Sequence, residues 1–394
     1  MACIGRTIED AKILVHHAKL TPDELLPTTQ TLEFSSEFGQ LQGVLLEMDS
    51  KLLNCLLEGE RIVLRGEEDD AVVMCTKGKT YEVREAEISN SLVMIPNMKL
   101  PDDIDKNTDM SLHNCQVNSI HYTYMEMKPC KPRLSKLRQF LSERPYGGPN
   151  EDDISEDVGK RYTEDDLLNI IQCSEDELQV SLTDMEAYHI HGHWQILDFD
   201  YRFKVVSHIL NLIDEQKYSL DRIPREATIK TLSALEPKAV ITQCFDYYLK
   251  STDKKDDNGD ELCSLLDDNV CRLCAEVLLK PAGKFNLTEF LTIWQQSVPE
   301  GLSTSLSQLE GVALVDRSSS PETIEHYPVY NLPEDLNFRF SGLFEKRDKW
   351  TLDEIRPYVQ DLATDKLPVN AILTKYARAS TQNGIKYYTG KHSR

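Results

Sequence analysis

No apolar run in this chain approaches the roughly 18 residues a membrane span requires, and the opening Met-Ala-Cys-Ile-Gly-Arg lacks the basic-then-apolar order of a secretory leader. No membrane partner is expected, and the chain reads as intracellular. Its ten cysteines (Cys3, Cys55, Cys75, Cys115, Cys130, Cys173, Cys244, Cys263, Cys271 and Cys274) are scattered over 394 residues, far too long a chain to need staples, and read as thiols.

Catalytic and cofactor patterns are also missing. Gly78-Lys79-Thr80 has the end of a P-loop, but the loop needs a glycine five residues earlier, where Val73 stands in an apparent strand. A hairpin turn is the better reading. Cys271-Arg-Leu-Cys274 has no second pair and sits in an apolar helical run, which suits buried thiols better than zinc. His189, His191 and His193 alternate, yet alternate positions on a strand are about 7 Å apart, too far to share one tetrahedral ion, so a polar face with Ile190 and Trp194 turned inward is expected. No Ser/His/Asp order or nucleophile elbow is present. The sequence therefore calls for no enzyme, no cofactor and no metal.

What is present is charge, unevenly spread. Lysine and arginine number 44 against 66 aspartate and glutamate, a net −22. From Lys128 to Arg144 six basic residues meet one acid, and from Glu151 to Glu186 thirteen acids meet only Lys160 and Arg161. Between them Arg144-Pro-Tyr-Gly-Gly-Pro-Asn breaks regular structure, which predicts a boundary there. Residues 366–394 carry Lys366, Lys375, Arg378, Lys386, Lys391 and Arg394 and no acid.

The length predicts two to four compact units. The first reads as β: the runs from Val44, Arg61, Ala71, Lys79 and Ser91 are short, apolar or alternating, and divided by Gly-rich turn signals. Several are apolar on both faces. A small sheet rarely covers both by itself, so one face is expected to meet another subunit.

Past residue 160 the pattern turns helical and repeats one start signal. Thr163, Asn286 and Thr351 stand at N-cap, with Asp166, Glu289 and Glu354 three residues on. Tyr162, Phe285 and Trp350 precede them, and Leu167, Phe290 and Ile355 complete a staple. After Thr163 a helix, a second helix capped by Ser174 and a strand pair in 187–197 predict a winged helix. After Thr351 a helix to about Leu362, a second opened by Pro368, and an Asn383-Gly384 hairpin predict another. In the middle unit Leu306, Leu309, Val312, Ala313 and Leu314 are expected to carry the second helix.

In the last unit Val369, Ile372, Leu373 and Tyr376 follow helical spacing and are expected to face the core, leaving Ala371, Thr374, Lys375 and Arg378 on the other side. The predicted DNA-contacting residues are Lys366, Thr374, Lys375, Arg378, Lys386 and Lys391, with small residues allowing approach and cations meeting phosphates. The Lys128–Arg144 stretch is open to three readings: a second contact, an import signal or a linker.

Thr80-Tyr81 with Arg84 and Ser89-Asn90-Ser91, then Phe290-Leu291, Trp294-Gln295 and Val298-Pro299, then Arg339-Phe-Ser-Gly-Leu-Phe344 with Trp350 and Pro357-Tyr358, together resemble the DCC family of sister chromatid cohesion subunits. That resemblance implies a non-catalytic, nuclear subunit of the alternative (chromosome transmission fidelity) replication factor C clamp loader, which acts on the PCNA sliding clamp. It implies an α+β, multidomain fold: an N-terminal β-barrel-like domain that co-folds with the large and small partner subunits, reaching core replication factor C indirectly, then tandem winged helices that touch DNA and the catalytic subunit of polymerase epsilon. The expected division is 1–127 β domain, 128–158 charged linker, 159–250 first winged unit with extra helices, 251–337 second and 338–394 third, basic unit. The rival reading is a winged-helix scaffold of transcription or ubiquitin ligation that binds only proteins; a metal hydrolase stands third.

Overall fold

The computed structural model describes residues 7–21, 25–34, 36, 38–39, 43–105, 109, 111–149, 160–364 and 367–391. The acidic run at 151–157 lies outside them. The fold is mixed α+β with several separate sheets, and the chain divides into two compact units: residues 1–64, 71–76 and 81–130, and residues 65–70, 77–80 and 131–394.

The first unit holds helices α1 (Ile8–His17) and α2 (Ser50–Leu57) and strands β1 (Thr28–Phe34), β2 (Leu46–Glu47), β3 (Val63–Arg65), β4 (Val73–Cys75), β5 (Thr80–Met94), β6 (Ser111–Val117) and β7 (Ser119–Pro129). Thr7 and Asp10 close a capping box on α1, and Asp49 accepts from Leu52 N at 2.8 Å to start α2. Five strands in the order β2-β7-β5-β4-β3 make an open, curled sheet, half of the barrel expected. The runs read as separate strands from Lys79 and from Ser91 are one strand of 15 residues, bent by a register shift against β7 between Glu87 and Leu92. The β1-β6 pair is parallel and stands apart as a two-stranded sheet. Among the described residues Leu52, Met74, Tyr81 and Met127 form a buried cluster here, with Met48, Ile62, Val83 and Met125 against it.

The second unit repeats one order of elements four times: helix, short strand or single bridge, a helix followed by a second helix or a 3-10 turn, hairpin. The first repeat is α3 (Ser135–Glu143), a bridge at Tyr162, α4 (Glu164–Ile170), α5 (Glu175–Asp184), β8 (Ala187–Ile190) and β9 (His193–Ile196). The second is α6 (Phe199–Glu215), β10 (Ile223–Pro224), α7 (Arg225–Leu232), α8 (Lys238–Tyr248), β11 (Leu249–Lys255) and β12 (Glu261–Leu265). The third is α9 (Asp267–Ala282), β13 (Lys284–Asn286), α10 (Leu287–Ser297), a single 3-10 turn at Leu306–Leu309, β14 (Ala313–Asp316) and β15 (Thr323–His326). The fourth is α11 (Leu336–Lys346), β16 (Trp350–Thr351), α12 (Leu352–Ile355), α13 (Val369–Tyr376), β17 (Ala377–Gln382) and β18 (Ile385–Gly390).

Sheet order repeats as well: β10-β12-β11, β13-β15-β14 and β16-β18-β17 each lay the short strand against the last one. The residue before each helix cap pairs across: Tyr162 with Trp194, Ile223 with Cys263, Phe285 with Ile324, and Trp350 with Tyr388. The staple residues Leu167, Phe290 and Ile355 are fully buried beneath them. The boxes at Thr163 and Thr351 close in both directions, the first with Asp166 returning a bond at 3.0 Å despite its short side chain. Asn286 caps Thr288 N and Glu289 N without a returned bond.

Three expectations are corrected. Leu306–Leu314 is not a helix, because Gly311 takes φ +73° and turns the chain from the 3-10 turn into β14. The helix expected to reach Leu362 ends at Ile355: Pro357 lacks the N–H to continue it, and the chain goes on in 3-10 turns. Arg378 stands on β17 rather than on the helix, which stops at Tyr376. Within the stretch expected as a charged linker, α3 buries Leu137 and Leu141 against Leu167, Ile171 and Leu178.

Candidate nucleic-acid interface

Two basic stretches compete for this role, and their ion pairing separates them. In the first, Lys136 is held by Glu67 at 2.6 Å and Asp70 at 2.9 Å, which raises its pKa and lowers that of Asp70. Arg133 donates to Gln172 Oε1 at 2.9 Å, Lys128 pairs with Glu126, and Lys131 donates to the Asp361 carbonyl. Arg138 lies over the Tyr330 ring at 4.7 Å, and burial lowers its pKa. These cations are engaged by partners from the same chain.

The last repeat differs. Pro368 opens α13, and Ile372 and Leu373 are buried at 0% and 1%, so the apolar spacing fixes which side faces solvent. Lys375 is exposed and lies over the Tyr376 ring; its carbonyl accepts from Lys391 Nζ, which satisfies a free carbonyl at the helix end. Arg378 follows on β17 opposite Thr389, so Lys375, Arg378 and Lys391 gather where α13 ends. Lys386 stands near the hairpin tip, its amine 5.2 Å from the Tyr388 ring centroid. Alternation along β18 puts Lys386 on the face of Tyr388, while Arg378 shares the other face with Ile385 and Tyr387. The hairpin thus carries cations on both faces.

Among the described residues no carboxylate pairs with Lys375, Arg378, Lys386 or Lys391, whereas Arg339, Lys346 and Arg347 just before them pair with Asp361, Glu325 and Glu354. Thr374 is turned back, its hydroxyl donating to the Asn370 carbonyl at 2.8 Å. Lys366 lies outside the described residues. Two neighbours were not foreseen: Lys349 Nζ reaches Gln382 Oε1 at 3.4 Å, and Ile385 is 49% exposed beside the turn. No local sequence signal ties Lys349 to the hairpin; the β16-β18 pairing does.

The corresponding helices and hairpins of the other repeats are acidic or mixed. The α5 helix carries Glu175, Asp176, Glu177 and Asp184, and the β11-β12 hairpin sets Lys250, Lys254 and Lys255 against Asp253, Asp256, Asp257, Asp260 and Glu261. Among the described residues of the four repeats, the helix end and hairpin of the last one are where cations gather without a paired carboxylate.

The catalytic-looking motifs resolve into structure. Val73 is buried in β4, and the turn after it delivers Thr80, whose hydroxyl donates to Glu177 at 2.5 Å and accepts from Ser174 N at 2.9 Å. Burial raises Cys271 and Cys274 to about 11, leaving them as thiols. His191 takes φ +50° at the β8-β9 turn and breaks the alternation: Ile190 is buried opposite His193, while His189 packs on Trp194 at 5.1 Å, so the histidines do not share one face and Trp194 does not lie with Ile190 as expected. Among the described residues no three His, Cys, Asp or Glu side chains are grouped to hold a metal, and no helix is long and apolar enough to cross a membrane.

Residues 44–359 match the family model for the sister chromatid cohesion protein Dcc1. The mouse sister chromatid cohesion protein DCC1 is 42% identical over 390 residues, covering 98% of this chain and 97% of its own. The human protein of the same name is 40% identical, with 98% of both chains covered. A probable DCC1 of Dictyostelium discoideum is 24% identical over 90% of this chain and 95% of its own. The family is named for cohesion and not for a catalytic activity. With its model matching over most of the chain and relatives near 40% identity from end to end, this chain belongs to the Dcc1 family of sister chromatid cohesion proteins.

Proposed function

We propose that this chain is a non-catalytic, nuclear subunit of the alternative replication factor C clamp loader, linking action on the PCNA clamp to sister chromatid cohesion. The observation that carries this reading is the surface of the first unit. Twenty of the twenty-seven exposed large apolar side chains among the described residues lie there, including Phe34 at 66%, Leu57 at 75% and Leu64 at 62%. Its buried cluster holds four of the described residues. A soluble unit with so small a core and so much apolar surface is completed by partner chains. The large and small clamp-loader subunits are its proposed partners.

The four repeats of the second unit are proposed to be winged helices. The last, whose Lys375, Arg378, Lys386 and Lys391 meet no carboxylate among the described residues, is the proposed DNA contact, and its neighbours the proposed seat of polymerase epsilon.

The full chain expressed alone is expected to bind a hydrophobic dye and self-associate, and co-expression with the small partner subunit is expected to abolish both. A monodisperse, dye-silent chain on its own overturns the docking role. Lys375→Glu, Arg378→Glu and Lys386→Glu together are expected to weaken DNA binding by about tenfold at low salt with little dependence on base sequence, while subunit assembly survives. Equal affinities and parallel salt slopes for wild type and triple variant overturn the DNA contact.

A further inference from the structure

The β17-β18 hairpin carries more than charge. Its turn is the two residues Asn383 and Gly384, at φ +51° and +79°, the left-handed pair that closes a tight twisted hairpin. On either side stand Gln382 and Ile385, paired across the ladder and pointing to the same face. Gln382, Asn383, Ile385 and Lys386 are all exposed. An ammonium group flanks the tip from each side, Lys349 at Gln382 and Lys386 one residue beyond Ile385. Ile385 is 49% exposed, its neighbour Tyr387 on the same face is half-buried, and the core side of the hairpin is already filled by Tyr388 and Ala377.

Resting on the DNA-contact reading above, we propose that this tip is a wedge. Ile385 enters an opened base step from the minor groove, while Gln382 and Asn383 meet base edges and Lys349 and Lys386 meet the flanking phosphates. The residue types match that chemistry. Asn and Gln read the minor-groove acceptors, a branched apolar side chain replaces part of the lost stacking, and cations hold the backbone open around it. A tip of lysines alone would bind any duplex equally. An apolar side chain at the apex gains only where bases can part, so the substrate class is DNA with an easily unstacked step, such as the junction of duplex and single strand. Two corresponding hairpins present no such set: the β14-β15 connection is Arg317-Ser-Ser-Ser-Pro-Glu322, with no apolar residue other than its proline, and the β11-β12 connection is Asp256-Asp-Asn-Gly-Asp260.

The test titrates the full chain, with its partner subunit present, against a continuous duplex and a duplex–single-strand junction, with 2-aminopurine placed at the junction step. Wild type is expected to prefer the junction by about tenfold, the scale of one unstacked step, and to brighten the probe. Ile385→Ser is expected to lose the preference and the brightening with the salt slope unchanged, while Ile385→Met keeps both. Lys386→Ala is expected to lower the slope by about one on either DNA. If Ile385→Ser keeps the preference while the triple charge variant still weakens binding, the wedge is overturned and the DNA contact stands. If wild type and triple variant bind alike, both fall.

Discussion

The guanidinium of Arg339 and the carboxylate of Asp361 meet in a two-pronged pair, Nη2 to Oδ2 at 2.9 Å and Nη1 to Oδ1 at 3.2 Å. Arg339 is 1% exposed. Its remaining donors reach the carbonyls of Pro333 at 2.5 Å and Tyr358 at 2.8 Å, so one side chain satisfies backbone that Pro357 and the 3-10 turns leave outside a helix. This accounts for an arginine inside the apolar Arg339-Phe-Ser-Gly-Leu-Phe344 motif.

Arg339→Leu is therefore expected to cost about 3 kcal/mol, because it leaves the buried Tyr358 carbonyl and the part-buried Pro333 carbonyl without a donor and removes the pair with Asp361. Asp361→Asn should cost much less, since its side chain is 42% exposed and water replaces the pair. Urea titrations followed by tryptophan fluorescence rank the two; equal costs would deny the role of the carbonyls.

Trp350 is fully buried, and its indole N–H donates to the carbonyls of Leu343 at 3.1 Å and Arg347 at 2.9 Å. Trp350→Ala is expected to destabilise the last repeat by about 3 kcal/mol. Thermal melts check this, and an unchanged melt with lost DNA binding would make the ring a ligand contact instead.

Asp260 caps α7 from a distance, accepting from Glu226 N at 3.0 Å and Ala227 N at 2.9 Å, where Pro224 at the cap position offers no side-chain acceptor. Asp260→Ala is expected to lose about 1 kcal/mol, as caps do, and Asp260→Asn most of that loss recovered. Hydrogen exchange of the first α7 amides gives the local readout.

The Lys136 cluster sets a pH dependence. Hydrogen bonding from Lys136 holds the Asp70 carboxyl below its ordinary value, so folding favours the ionised form. The contribution is complete above the unfolded carboxyl value near pH 4 and is lost as pH falls through the lower folded one. Asp70→Asn should flatten stability against pH in that acid window and also shrink the loss on the alkaline side, because Asp70 helps hold the Lys136 pKa above its ordinary value. Parallel acid limbs for wild type and variant would remove Asp70 from the pair.

The local signals carried far because their physics is local. Capping boxes at Thr163 and Thr351, the Asn383-Gly384 turn and the apolar spacing of Ile372 and Leu373 each rest on neighbours within four residues, and all of them are present. The unopposed charge of the tail could be counted from composition alone. The second repeat could not be seen that way: its helix begins after Pro224, and the acceptor that caps it comes from Asp260, 34 residues along the chain, once β12 has paired with β10. Tertiary structure also decided which basic stretch is free. Lys136 and Lys375 look alike in sequence, yet folding brings Glu67 and Asp70 to the first, and among the described residues no carboxylate to the second. Ion pairing depends on distance in space, and a linear charge count contains no such distance.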